Sequence, residues 1–514
     1  MAQFRPFRPL RYRVSVRLAF PLVLLLPLAC AEPPDPDAGP GRGVLLIAID
    51  ALRYDHTSFA GYDRDTTPKL ASLFAKQGII FEDAWSPGPS LLPAHIALLT
   101  GCDPTIARQP DVVLSDGSMQ PPIVDWYVPD SAPTLADEFL AAGWRTAAFV
   151  DHLVLEDRRG VDRGFRDFQE VGPWSENAQY LTGVAPRFFD WLDGLNADED
   201  WFAYVHFNDL EAIWSERWSR QGPDLIHRFE PRPELDHVPP VSIRSPAYFA
   251  LPPERLLEGS PTLGEYEVHY DTALWWIDNN VRRMIDMLSD QGYLRETTVV
   301  ITGTFGVGFG EAGLVVDSGT LSPADLHVPM LLRPAQGLGV SSGRRVDQLV
   351  TLADVAPTLL TLHGIQAPRG MHGVSLTPML RGKGELTRDT VYASHSITEG
   401  FSVITEDLQY AWWEPRSRGV GSVLARSWYG ISRQGDGRGT RVLVPRDLPA
   451  SAWLSSGIEG DVSEAAELHE RGRIWYDDLE SARQVLNPSS WNEHLRGAAV
   501  VEDLRARGLI GDTP

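Results

Sequence analysis

The chain has 514 residues, 43% of them hydrophobic and 22% charged, and a formal net charge of −23. That length admits one large α/β domain with an appendage, and the composition is globular, with no collagen-like or coiled-coil bias and no fixed-period repeat. So acidic a chain repels nucleic acid and anionic lipid at long range, and no nucleic-acid partner is expected.

At the N-terminus Arg5, Arg8, Arg11, Arg13 and Arg17 form a basic leader without a single acid, and residues 18–29 are almost wholly apolar. These are the n-region and h-region of a signal peptide, too short to span a bilayer comfortably, so residues 1–30 are expected to direct export rather than to fold. The segment ends at Leu28-Ala29-Cys30, which is similar to a bacterial lipobox except that Pro27 stands where Leu is usual. Lipidation at Cys30 is expected, with an ordinary secretory signal as the alternative. The Pro/Gly/Asp-rich residues 31–42 then read as a flexible linker. The expected location is the periplasmic or outer surface of a bacterial membrane, reached only through the lipid anchor. Cys102 is the one other cysteine, so with Cys30 lipidated no disulfide framework supports the fold.

From Gly43 the pattern alternates. Residues 44–49 (VLLIAI) form a continuous apolar run, as in a strand buried on both faces. Thr67-Pro68 opens a helix, with Thr67 as its cap and Gly78 as its stop. A helix over 134–142 leads to a strand over 146–150, and 202–206 reads as another strand. A long helix over 265–291 carries Leu274, Ile277, Val281, Ile285 and Leu288 on one side. It leads to a strand over 298–302, and 328–332 is a further strand. Such alternation predicts an α/β fold, a large and mostly parallel sheet flanked by helices, with its site at the carboxyl ends of the strands. Residues 43–384 are assigned to this domain. Residues 214–260, rich in Pro, Arg and aromatics, read as a long insertion over one face. There Trp214, Arg217, Trp218 and Arg220 could clamp a carbohydrate, although simple packing is the plainer reading. Trp275-Trp276 on the long helix is likewise read as packing. Residues 385–514 read as a small C-terminal α+β subdomain with strands near Ser402 and Arg441 and a closing helix over 491–507. Trp412-Trp413 is expected to pack against the main sheet.

Four segments carry a family resemblance: VLLIAIDALRYDHTSFAGYDRDTTPKLASLFAKQGIIFEDAWSPGPSLLPAHIALLTG from Val44; GWRTAAFV continuing to VDRGF; the long helix followed by TTVVITGTFGVGFGEAGL and LHVPMLLRP; and TLADVAPTLLTLHGIQAPRGMHGVSLTPML from Thr351. All four, in this order, closely resemble the sulfatase family of the alkaline phosphatase superfamily. The resemblance implies that family's fold and in-line attack on a sulfate or phosphate ester. A side-chain nucleophile attacks, a divalent cation neutralises the developing charge, and basic groups clamp the anion.

Position by position, this chain departs from the family's pattern. Asp50 matches the first metal-ligand position and is the only clearly retained one; Ala51 follows where a second Asp is common. The nucleophile position, anchored on Pro93, His95 and the downstream LLTG, is Leu91, which has no nucleophilic atom. Ser90, one residue away, is a poor substitute because a one-residue shift turns the side chain out of a fixed pocket. His95 either fits the family's basic position or simply packs in its helix. Thr304-Phe305-Gly306 stands where Asp-His-Gly or Asp-Asn-Gly is usual. Gly310-Glu311-Ala312 replaces Gly-Glu-His, and Asp317 takes the place of a downstream His or Lys. Asp209-Leu210-Glu211 replaces Asp-Pro-His, and the Lys-bearing segment reads Val150-Asp151-His152.

If these positions converge, the pocket holds Asp50, Glu211, Asp317 and Glu311 with only His95 and His152 as cations. Such a pocket repels a dianionic ester. Three readings follow. The first is a pseudoenzyme without nucleophile or metal that binds a glycan or protein partner and needs no cofactor. The second is an ester hydrolase with a rearranged site, in which the same carboxylates cage calcium or manganese. The third is a structural lipoprotein.

Overall fold

An unbroken apolar run is stable in water only if both of its faces are covered, and β1 (Gly43–Ile49) is buried at every residue. It lies between β6 (Trp201–Phe207) and β7 (Thr297–Gly303), both parallel to it and equally buried. Beyond β6 come β4 (Arg145–Val150) and β5 (Asp167–Glu170); beyond β7 come β8 (Met330–Arg333), β2 (Ile79–Phe81) and β9 (Arg344–Val346). In this eight-stranded sheet β8 alone runs against the others, and β3 (Ala84–Trp85) and β10 (Val350–Thr351) pair in parallel as a separate short sheet. The computed structural model describes residues 41–107, 126–151, 155, 160–170, 183–196, 198–212, 228–232, 262–309, 320–394, 400–413, 440–445 and 462–486. The leader, Cys30, the four proposed carbohydrate-clamping residues and the helix expected over 491–507 lie outside them.

The linker expectation is corrected at its end. Arg42 is anchored, its backbone N–H donating to Asp200 Oδ1 at 2.7 Å and its guanidinium lying 5.1 Å from the Trp144 ring. The chain is therefore fixed by the residue before β1.

The long helix, Leu263–Asp290, starts two residues earlier than its periodicity suggested. It opens on a capping box in which Thr262 and Glu265 exchange side-chain and backbone hydrogen bonds. Its stripe of Leu274, Ile277, Val281, Ile285 and Leu288 is buried as expected. Trp276 packs at the edge of the core, and Trp275 is covered by the Arg228 guanidinium at 4.1 Å, so both tryptophans serve packing.

The cap of α1 (Pro68–Gln77) needs correction. Thr67 precedes it without capping it; its hydroxyl accepts from Ser58 N–H instead. The open amides of Lys69 and Leu70 donate to the buried carboxylate of Asp278, at 3.1 and 2.8 Å. The long helix thus supplies the cap from 208 residues away.

The C-terminal subdomain is a four-stranded antiparallel sheet of β11 (Thr390–Ser394), β12 (Gly400–Thr405), β13 (Leu408–Trp413) and β14 (Thr440–Pro445), with a helix, Val462–Leu486, against it. Phe401, Val403, Tyr410, Trp412, Leu468 and Tyr476 make its own core. Trp412 is therefore a core residue of the subdomain rather than a contact with the main sheet. The helix went unanticipated because its apolar positions are diluted by charge.

Candidate functional site

Register fixes the site. Ile49 pairs with Phe207 on one side and Gly303 on the other, so Asp50, Asn208 and Thr304 leave the sheet at one level. This is the carboxyl end of the central strands, where open α/β sheets place their sites. Asp50 N–H donates to Phe207 O at 3.0 Å and Thr304 N–H to Ile49 O at 3.1 Å, which locks the three chain segments together. A Cβ at Gly306 would stand 1.9 Å from the carbonyl oxygen of Ala324, so that glycine answers to backbone packing. Between Asp50 and the next turn, Ala51 adopts φ 58°, the one positive φ outside glycine among the described residues. That conformation costs an alanine about 1 kcal/mol. It is held by Tyr270, whose hydroxyl donates to Ala51 O at 2.7 Å and accepts from Arg53 N–H at 2.9 Å.

Asp50 is fully buried, and both of its oxygens accept hydrogen bonds. Thr304 Oγ1 donates to Oδ1 at 2.5 Å, and His206 Nε2 lies 2.8 Å from Oδ2. His206 Nδ1 faces the Asp151 N–H at 3.3 Å, which assigns the proton of the neutral ring to Nε2 and makes it a donor to Asp50. Burial pushes the His206 pKa down to about 3, so the ring is neutral at physiological pH. His95 likewise has its Nε2 toward Asp50, 3.7 Å from Oδ1. Its Nδ1 lies 2.8 Å from the carbonyl of Leu91, which can only accept, so Nδ1 carries the proton. Hydrogen bonds to a charged group contribute about 1.5–3 kcal/mol each, so His206 and Thr304 together do much of the work of stabilising a buried carboxylate.

The other expected residues fall as follows. Leu91 is the first residue of α2 (Leu91–Thr100), half-buried, with Ser90 in the extended N-cap position before it. Phe305 is buried in the main core. Glu211 lies in the short helix Asp209–Ala212, but its side chain is outside the described residues, as are Glu311, Asp317 and His152. The four-carboxylate pocket is thus represented by Asp50 alone. Two residues escaped the sequence reading. His206 was taken simply as part of its strand, and Tyr204, two residues earlier, was not singled out. The Tyr204 hydroxyl is buried without a hydrogen-bond partner among the described residues, and burial and the charge of Asp50 hold its pKa well above the usual value. Asp209, also buried, is held well above the ordinary carboxyl range by burial and by Asp151.

Asp50, His95 and His206 place one ligand atom each within 4.8 Å of one another. This set is nitrogen-rich. Calcium and magnesium take oxygen ligands from carboxylates, carbonyls and water; among the described residues Asp50 is the one carboxylate in the group, and Thr304 is engaged as a donor to it.

The chain has known relatives. It is 24% identical over 345 residues to an extracellular sulfatase SULF-1 homolog of Drosophila melanogaster, covering 63% of this chain and 30% of that protein. It thus spans less than a third of that relative's length. To an arylsulfatase of Clostridium perfringens it is 22% identical over 431 residues, covering 73% of this chain and 86% of the relative. Among solved structures, a 2-O GAG sulfatase superposes with a TM-score of 0.61 at 18% identity, covering 86% of this chain and 93% of that one. A phosphonate monoester hydrolase of Agrobacterium radiobacter superposes with a TM-score of 0.60 at 17% identity, covering 86% and 96%. These superpositions establish a shared fold. The family model described as Sulfatase matches residues 42–365, from the residue that anchors β1 to just past the helix of the DVAPTLL segment. By that match, over a span containing every strand that shapes the site, the chain belongs to the sulfatase family.

Proposed function

We propose that this chain is a sulfatase-family pseudoenzyme, a binding protein that keeps the scaffold and lacks the hydrolytic chemistry. The observation that carries the reading is the internal satisfaction of Asp50. The carboxylate at the family's metal-ligand position accepts from Thr304 and His206. Opening it to a cation would break both bonds, and Thr304 would offer a neutral hydroxyl in exchange. Leu91 at the nucleophile position supports the same reading, since a hydrocarbon side chain cannot attack sulfur or phosphorus. The basic leader and apolar run support export, and the lipobox-like Cys30 supports a lipid anchor. The partner is proposed to be a glycan or a protein.

The test is hydrolysis of aryl sulfate, phosphate monoester and phosphonate monoester substrates, with calcium or manganese present. The protein is expected to match the blank, and Leu91→Cys and Leu91→Ser are expected to match it too, because the metal site is also altered. Metal-dependent turnover by either variant would overturn the reading.

A second reading rests on the grouping of Asp50, His95 and His206. His95 already presents an unprotonated Nε2 in its neutral form, and imidazole nitrogens with a carboxylate suit a borderline transition metal. For His206 to join, its proton must move to Nδ1, which faces a backbone N–H. Retention of zinc by the wild-type protein but not by His95→Ala would favour this reading.

A further inference from the structure

At the opposite end of the central strands lies a second feature that the reading of Asp50 does not use. A groove of 660 Å³ opens between the end of the long helix, the turn Leu294–Glu296 and the segment after β8. Its polar lining is Gln77, Ser289, Arg295, Arg333, Gln336 and Ser342. The size is that of an ordinary small-molecule site. Arg333 pairs across the sheet with Val299, near the start of β7, so the groove and Asp50 sit at opposite strand ends.

The charge in this groove is unusual for so acidic a chain. Arg333 is half-buried, and its Nη1 donates to the carbonyls of Leu294 and Thr297 at 2.8 and 3.2 Å. Among the described residues it forms no ion pair with a carboxylate, and its Nε is buried without an acceptor. Burial pulls its pKa down, the sign of a charge held at a cost. Arg295 is exposed, with Glu296 at 3.4 Å as its acidic neighbour. Gln336 N–H donates to Arg295 O at 2.9 Å, which fixes the two walls against each other. Two guanidiniums, of which Arg295 alone has a carboxylate partner among the described residues, favour an anion. The amide and hydroxyl side chains around them both donate and accept, as sugar hydroxyls require. Leu294 and Pro334 are the apolar lining, too little to anchor a peptide by hydrophobic contact.

We propose that this groove binds a carbohydrate carrying one anionic group, a sulfate or a carboxylate. The inference does not rest on the Asp50 site being inactive, so the two stand or fall separately.

Calorimetric titration of the purified full chain at low ionic strength tests it, with glucose 6-sulfate, glucuronate and glucose as probes. Both anionic sugars are expected to bind and glucose not to. Arg295→Gln and Arg333→Lys should each weaken binding about tenfold or more, since each removes charge-assisted hydrogen bonds or the planar fork that makes them. Arg333→Lys keeps the charge, and its melting temperature reports whether the carbonyl contacts still hold the turn. Equal binding of glucose, no binding of either anion, or unchanged affinity in both arginine variants would overturn the proposal. Loss of binding in Thr304→Val with both arginine variants unchanged would overturn it as well, by placing the anion at the Asp50 end of the sheet.

Discussion

Thr304 is the residue on which the account of the site turns. Its hydroxyl donates to the buried Asp50 carboxylate. Thr304→Val removes the donor and keeps the shape, leaving one oxygen of a fully buried carboxylate short of a hydrogen bond. The expected cost is ~1–3 kcal/mol of unfolding free energy in a urea titration, with Thr304→Ser close to wild type. Unchanged stability in Thr304→Val would mean that Asp50 is satisfied in some other way. At this scale the sequence was legible where chemistry is local. Asp50 and Thr304, which the structure brings into hydrogen-bond contact, are both singled out by the motif strings. His206 could not be read that way. In WFAYVHF it is one residue of an apolar strand, and its role depends on the pairing of Ala48 with His206, a relation across 158 residues. The usable signal was a lone imidazole near the carboxyl end of a strand buried on both faces, where an unpartnered polar group is costly.

Secondary-structure elements were legible where burial is continuous or strictly periodic, as in β1, β6, β7 and the stripe of the long helix. Their caps were not, when the cap comes from elsewhere in the chain. Asp278 illustrates both the failure and its consequence. Burial pushes its pKa up to about 6 from an ordinary 3.8, against the pull of the two amides. The folded protein therefore binds this proton more tightly than the unfolded chain, and the contribution of Asp278 to stability falls as pH rises between those values. Relative to Asp278→Asn, wild type should lose up to about 3 kcal/mol between pH 4 and pH 7 in paired urea titrations. A pH-independent difference would show that the carboxyl is not held up by burial. The helix Val462–Leu486 carries a separate test. Gly472 is a poor helix former, yet a Cβ there would stand 2.1 Å from the Phe401 ring. Gly472→Ala should therefore lower the melting temperature despite its better propensity, overpacking costing ~1–3 kcal/mol. A rise would mean that the subdomain core is looser than this contact implies.

For the whole molecule, the same sheet carries two chemically opposite ends. The carboxyl end buries Asp50, Asp209, His95 and His206 beside a strained Ala51, and the amino end opens a groove with two arginines. Strain of the Ala51 kind persists only where the surroundings over-determine it, and here Tyr270 and the locked strand ends do so. The family's backbone frame thus stands around Asp50, whose carboxylate accepts from Thr304 and His206. The Sulfatase match describes the fold, whereas the side chains decide the activity.

The central claim is that Asp50 is satisfied by protein donors and holds no catalytic cation. The most direct measurement is the divalent-metal content of the purified protein, by elemental mass spectrometry after dialysis against calcium and manganese and then against metal-free buffer. The account predicts far less than one ion per chain, and no change in melting temperature when either cation is added. Close to one ion per chain, lost in Asp50→Asn, would contradict it and bring the rearranged hydrolase to the front.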